Sequence, residues 1–95
     1  MNVFIVSYDI TDDDRRNEVF KYMRRWGDHL QFSVFRCELS PSDRAELISE
    51  LRQQIDSEKD QILLFDLGPS GGRARESVVS LGVKYTHPER HAIVI

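Results

Sequence analysis

Residues 3–10 read Val-Phe-Ile-Val-Ser-Tyr-Asp-Ile, and the fold is predicted outward from this stretch. Its first six residues are β-branched or aromatic apart from Ser7, which predicts a strand buried on both faces of a sheet. Asp9 follows at the carboxyl end of the strand, where an acid suits a core poorly. A carboxylate at the rim of a sheet is well placed to bind a metal ion, alone or with a phosphate group.

Two helices are predicted by their apolar periodicity and their first residues. Residues 19–26 carry apolar side chains at i, i+3, i+4 and i+7, which predicts an amphipathic helix ending near Gly27. Thr11 and Asp14 have the spacing of a capping box for that helix. A second helix is predicted to begin at Ser40, followed by a proline, and to bury a stripe within residues 47–55.

The remaining segments predict strands. Residues 30–39 alternate apolar and polar side chains and then break phase, which predicts two short strands. Residues 61–67 predict another buried strand. Residues 77–85 and 91–95 predict further strands at the carboxyl end.

The predicted element order is β-α-β-β-α-β, followed by the carboxyl-terminal strands. This order is typical of the ferredoxin-like fold, an α+β architecture with an antiparallel sheet and two helices on one face. A chain of 95 residues predicts one domain over residues 1–95. Because an apolar strand needs a sheet edge, we expect residues 77–95 to extend the sheet of a partner subunit in a homodimer.

Composition excludes several classes of protein. A hydrophobic content of 40% with 31% charged residues excludes a disordered chain, and no apolar run approaches the roughly 20 residues of a membrane span. The single cysteine, Cys37, and the lack of a signal-peptide pattern predict a cytoplasmic protein without a membrane partner. The net charge of −3 is segregated, with basic residues concentrated in 15–25 and acids in 43–60.

The residues nearest Asp9 define a candidate catalytic site. Arg15 and Arg16 fall in the first predicted turn of the helix, where a guanidinium suits a phosphate beside an Asp9-bound metal. Mg²⁺ takes one or two protein carboxylates, so a second ligand would come from a symmetry-related Asp9 or from residues 12–14. The sequence also leaves open that Asp9 only shapes a turn and that Arg15 forms an ion pair with a neighbouring acid.

Three further residues are candidates for contacts with a substrate. Ser33 and Phe35 lie in the strand pair expected beside the first strand, where a hydroxyl and an aromatic ring suit a nucleic-acid backbone or base. Tyr8 alternates away from Asp9, so packing in the core is its other interpretation.

These motifs together resemble a known family. Tyr8-Asp9-Ile10 ends the first strand, Arg15-Arg16 opens the first helix, and residues 31–35 read Gln-Phe-Ser-Val-Phe. With Leu39-Ser40-Pro41 before the second helix, this order resembles the small CRISPR-associated endonucleases of the Cas-two family, the second core protein of spacer acquisition. The resemblance covers nearly the whole chain.

The resemblance implies a ferredoxin-like homodimer with one Mg²⁺ shared between two Asp9 side chains. It implies a metal-dependent nuclease acting on RNA or double-stranded DNA, and an adaptor that bridges integrase subunits during spacer insertion. Asp9 is then the metal ligand, Arg15 and Arg16 assist it, and Tyr8, Ser33 and Phe35 support or contact the substrate. Two alternatives stay open, a purely noncatalytic DNA-binding adaptor and a toxin-type ribonuclease on the same fold.

Overall fold

The computed structural model describes residues 1–83 and contains one four-stranded sheet. The elements in chain order are β1 Asn2–Asp9, α1 Asp13–Met23, β2 Gly27–Gln31, β3 Val34–Leu39, α2 Pro41–Gln54, β4 Gln61–Pro69 and a 3₁₀ turn Arg73–Glu76. All strand pairs are antiparallel, and the strand order is β2-β3-β1-β4. The predicted ferredoxin-like α+β fold is confirmed.

The helices cover one face of the sheet and form the core with it. Alternate residues of β1 point to that face, and the buried cluster combines them with residues of β3, α1 and α2. Its members are Phe4, Val6, Tyr8, Ile10, Val19, Met23, Phe35, Cys37, Leu39, Leu47 and Leu51. The predicted apolar stripes of both helices therefore face the sheet.

The other face of the sheet is only partly covered. Ile5 and Ser7 of β1 are half-buried, while Leu63 and Phe65 of β4 are 43% and 49% exposed. The prediction that β1 is buried on both faces is thus confirmed for the helix side, and the opposite side retains exposed apolar surface on β4.

The predicted start of α1 is wrong, because Thr11 does not cap the helix. The N-cap is Asp12, whose carboxylate accepts a hydrogen bond from the Arg15 backbone at 2.9 Å. Thr11 instead donates from its backbone N–H and its hydroxyl to Asp60. The start of α2 is confirmed, with Ser40 and Asp43 forming a reciprocal capping box.

Gly27 begins β2 rather than ending α1. The helix ends at Met23, and Gly27 pairs with Cys37 across the β2–β3 ladder. A β-carbon at this position would lie 2.3 Å from the carbonyl oxygen of Arg36 and 2.6 Å from the sulfur of Cys37. Gly27 is therefore required by the close approach of two strands.

The break predicted within residues 30–39 is confirmed as a hairpin turn. β2 and β3 are joined by Phe32 and Ser33. Residues 77–83 form no strand, and the rest of the predicted strand over 77–85, like that over 91–95, lies outside the described residues. Within residues 1–83, neither α1 nor α2 has the length and hydropathy needed to cross a membrane.

Candidate active site at the end of strand β1

Asp9 ends β1 as an exposed carboxylate at the rim of the sheet. It pairs through its backbone with Gln61, the first residue of β4. Its side chain has no hydrogen-bond or ion-pair partner among residues 1–83. The same residues contain no group of three or more His, Cys, Asp or Glu side chains able to hold a metal ion. Other ligands to a metal at Asp9 would therefore include water, a phosphate or a second chain.

Arg16 is fixed close to Asp9 by two contacts. One guanidinium nitrogen donates to the backbone carbonyl of Ile10 at 3.0 Å, and the other forms an ion pair with Asp13. Because Ile10 follows Asp9 directly, this anchor holds a positive charge beside the end of β1. Two of the five guanidinium N–H groups are used, which leaves others for an anionic ligand.

Arg15 forms an ion pair with Asp60, the interpretation that the sequence left open for it. Its Nε donates to Asp60 Oδ2 at 2.9 Å, and its Nη2 donates to Asp60 Oδ1 at 3.2 Å. The Asp60 side chain has no exposed surface and also accepts hydrogen bonds from the backbones of Thr11 and Asp56. Arg15 thereby links the start of α1 to the loop that precedes β4.

Asp60 was not predicted from the sequence as a site residue, although it directly precedes Gln61, which pairs with Asp9 in the sheet. The hydrogen bond from Arg15 holds the pKa of the Asp60 carboxyl well below its usual range, helped by the backbone donors of Asp56 and Thr11. The same hydrogen bond raises the pKa of Arg15. The available signal was an acid directly before a strand that pairs with β1.

Replacing Asp60 by Asn is expected to lower the melting temperature and to flatten its dependence on acidic pH. Since folding lowers this pKa, the ionised carboxylate stabilises the fold above the ordinary Asp pKa of about 3.9. That stabilisation is lost as the pH falls below this value towards the lowered folded pKa. Thermal melting of wild type and Asp60→Asn over a pH series checks the expectation, with the largest difference near neutrality.

Asp14→Asn is the matched control, because Asp14 is an exposed acid on the first turn of α1. It is expected to change the melting temperature less than Asp60→Asn does. A difference between wild type and Asp60→Asn that widens on acidification would contradict the assignment.

The three candidate substrate residues occupy different environments. Tyr8 is 4% exposed and stacks on Phe35 with the ring centroids 6.3 Å apart, while Phe35 has no exposed surface. Burial raises the pKa of the Tyr8 phenol, and the positive charge of Arg16 opposes that shift. Ser33 is half-buried in the hairpin turn, where its carbonyl accepts a hydrogen bond from the Tyr8 backbone at 3.1 Å. Its neighbour Phe32, which the sequence did not single out, is 88% exposed.

The structure thus brings Asp9, Arg16 and Ser33 to one end of the sheet, with Tyr8 and Phe35 packed beneath it.

Residues 1–72 match the family model described as CRISPR associated protein Cas2. The chain belongs to the Cas2 family. A relative in Rhodospirillum rubrum named CRISPR-associated endoribonuclease Cas2 1 is 39% identical over 99% of this chain and 91% of its own length. A Geobacter sulfurreducens relative named CRISPR-associated endoribonuclease Cas2 is 31% identical over 99% and 98%.

Solved structures agree with this family. Cas2 from Streptococcus pyogenes superimposes with a TM-score of 0.73 and 29% identity, covering 84% of this chain and 99% of that one. A hypothetical protein from Thermus thermophilus, TT1823, gives a TM-score of 0.75 and 28% identity, with 86% and 92% covered. The Cas2 resemblance seen in the sequence is therefore confirmed in both sequence and fold.

Proposed function

We propose that this Cas2 chain is a Mg²⁺-dependent endonuclease that cleaves phosphodiester bonds of RNA or double-stranded DNA. The observation that carries the proposal is the exposed Asp9 carboxylate at the rim, unpartnered within residues 1–83, with the Arg16 guanidinium anchored one residue beyond it. The names of the relatives, which call them endoribonucleases, favour RNA as the first substrate to test.

Asp9 suits Mg²⁺ by its chemistry and its exposure. Mg²⁺ prefers carboxylate oxygens, keeps several waters and takes only one or two protein carboxylates. Asp9 supplies one such oxygen ligand, and a second Asp9 from a symmetry-related chain would supply another. A bound Mg²⁺ would act as a Lewis acid toward water and the scissile phosphate.

The two arginines have separate proposed roles in this site. Arg16 keeps unused N–H donors beside Asp9, so we assign it the stabilisation of negative charge on the phosphate. Arg15 directs its Nε and Nη2 to Asp60 and Thr11, so we assign it the positioning of α1 against β4.

The residues beneath the rim are assigned a supporting role. The stacked rings of Tyr8 and Phe35 fix the end of β1, and the Ser33 carbonyl holds the Tyr8 backbone next to Asp9. The Ser33 hydroxyl is the member of this group that we assign to the substrate, since Phe35 is fully buried.

We propose that the active form is a homodimer, because a single chain exposes apolar surface in two places. Leu63 and Phe65 lie on the sheet face opposite the helices. Val79, Leu81 and Val83 are each more than 80% exposed and recur at every second position, the spacing of a strand. A second copy would cover the open face and offer a sheet edge to this segment.

A second candidate function is a noncatalytic adaptor that holds double-stranded DNA for an integrase subunit of the CRISPR system. The observation favouring it is that no group of three or more His, Cys, Asp or Glu side chains able to hold a metal ion occurs among residues 1–83. The same dimer serves either function, and an assay of nucleic-acid cleavage distinguishes the nuclease from the adaptor.

A cleavage assay with purified protein tests the proposed function. End-labelled RNA and a labelled DNA duplex are incubated with Mg²⁺, with excess EDTA, and with Mg²⁺ restored after EDTA. EDTA is expected to slow cleavage by at least about a hundredfold, the scale of losing one electrostatic stabiliser of a transition state. Restored Mg²⁺ is expected to recover the rate. An undiminished rate in EDTA contradicts metal dependence, and no cleavage of either substrate favours the adaptor.

A further inference from the structure

Three arginines lie at the end of the two helices that is farther from Asp9. Each places its guanidinium over an aromatic ring, and the Asp9 site uses none of them. The guanidinium carbon of Arg24 lies 5.7 Å from the centroid of the Phe20 ring, and that of Arg25 lies 5.7 Å from the Tyr22 ring. Arg44 lies over Phe4 at 5.8 Å. All three arginines are exposed, and none has an acidic partner among residues 1–83. We call them the ring-supported arginines.

Arginines on β3 and at the Asp9 end of α1 differ from these three in being paired with acids. Arg15, Arg16 and Arg36 each form an ion pair with a carboxylate, to Asp60, Asp13 and Glu38 respectively. Their charge is offset within the chain. The ring-supported arginines keep both their charge and the N–H donors at the edge of the guanidinium.

The topology places the ring-supported arginines at one end of the molecule. α1 runs back from the Asp9 end, so Arg24 and Arg25 follow its last turn. α2 begins just after Leu39, the partner of Asn2, so Arg44 also lies where β1 starts. α1 alone has 11 residues, about 16 Å at 1.5 Å per residue, and this length separates them from the Asp9 rim.

We propose that the ring-supported arginines bind the phosphate backbone of double-stranded nucleic acid at a surface separate from Asp9. A guanidinium resting on an aromatic ring is held in place while its edge donors face outward, and that planar fork matches a phosphate group. The guanidiniums of Arg24 and Arg25 lie over the half-buried rings of Phe20 and Tyr22, and Phe4 is buried, which disfavours the base stacking that single strands use. The inference rests on the proposed function only in taking nucleic acid as the ligand.

Binding of a fluorescently labelled, mixed-sequence DNA duplex at several salt concentrations tests this inference. The triple variant Arg24→Gln, Arg25→Gln, Arg44→Gln is expected to bind at least about tenfold more weakly at low salt. The slope of log affinity against log salt is expected to fall by about 0.9 for each phosphate that is no longer neutralised, hence by about 2.7 in total. An unchanged slope and affinity would overturn the proposal and point instead to an acidic protein as the partner of this surface.

Matched variants distinguish the effect of the ring contact on binding from the effect of net charge. Arg52 is on the same helix as Arg44 and exposed, with no ring beneath it in the described residues, so Arg52→Gln is expected to weaken binding less than Arg44→Gln. Equal effects would contradict a specific role for the ring-supported arginines.

A variant with Lys at all three positions keeps the charge, and it is expected to preserve the salt slope while lowering affinity. Because its charge is unchanged, it also shows whether weak binding by the Gln variant comes from misfolding. The duplex-binding measurement is made in EDTA, so it does not depend on a metal at Asp9, and failure of cleavage and failure of binding are read separately.

Discussion

Asp9→Asn is expected to reduce Mg²⁺-dependent cleavage by at least about a hundredfold while leaving the fold intact. The substitution keeps the size of the side chain and removes the charged oxygen ligand. Because Asp9 is exposed and its side chain contacts no partner among residues 1–83, little structure depends on it. Initial rates on labelled RNA, with melting temperatures measured in parallel, check both parts of the expectation.

Asp66→Asn is the control for this variant, because it removes an exposed acid from β4, the strand that pairs with β1. It is expected to retain wild-type cleavage. If Asp9→Asn cleaves as fast as wild type, the activity belongs to another site or to a contaminating nuclease, and the proposed role of Asp9 is wrong.

Gly27→Ala is expected to be the most destabilising single-methyl change in the described chain. The added carbon would lie 2.3 Å from a backbone oxygen of β3, so the two strands must separate. Overpacking of this kind costs about 3 kcal/mol. In a domain of this size that corresponds to a fall of more than about 10 °C in melting temperature.

Gly71→Ala provides the comparison for that variant. Gly71 lies in the loop after β4, does not have a positive φ, and has open space where an added β-carbon would lie, with no described atom within 4 Å. Its substitution is expected to leave the melting temperature close to that of wild type. Equal melting temperatures for the two variants would contradict the close approach of β2 and β3 at Gly27.

The features that local patterns determine were predicted correctly. Strand β1, the break between β2 and β3 and the start of the second helix at Ser40 each depend on neighbouring residues, and the structure contains all three. The alternation within β1 also separated Tyr8, which packs into the core, from Asp9, which stays at the rim.

The features that depend on distant residues could not be predicted in this way. Thr11 donates to Asp60, 49 positions away, and that contact moves the helix cap to Asp12. Gly27 is explained only by how closely β3 approaches it. In the candidate site, Asp9 was identified from its place on β1, whereas the partner of Arg15 became visible only once β4 was paired with β1.

Titration calorimetry of the wild-type chain with Mg²⁺, alongside Asp9→Asn, tests the shared site most directly. A metal held between two Asp9 side chains predicts one ion bound for every two chains, and no binding by the variant. One ion for each chain, or the same binding by Asp9→Asn, would contradict it.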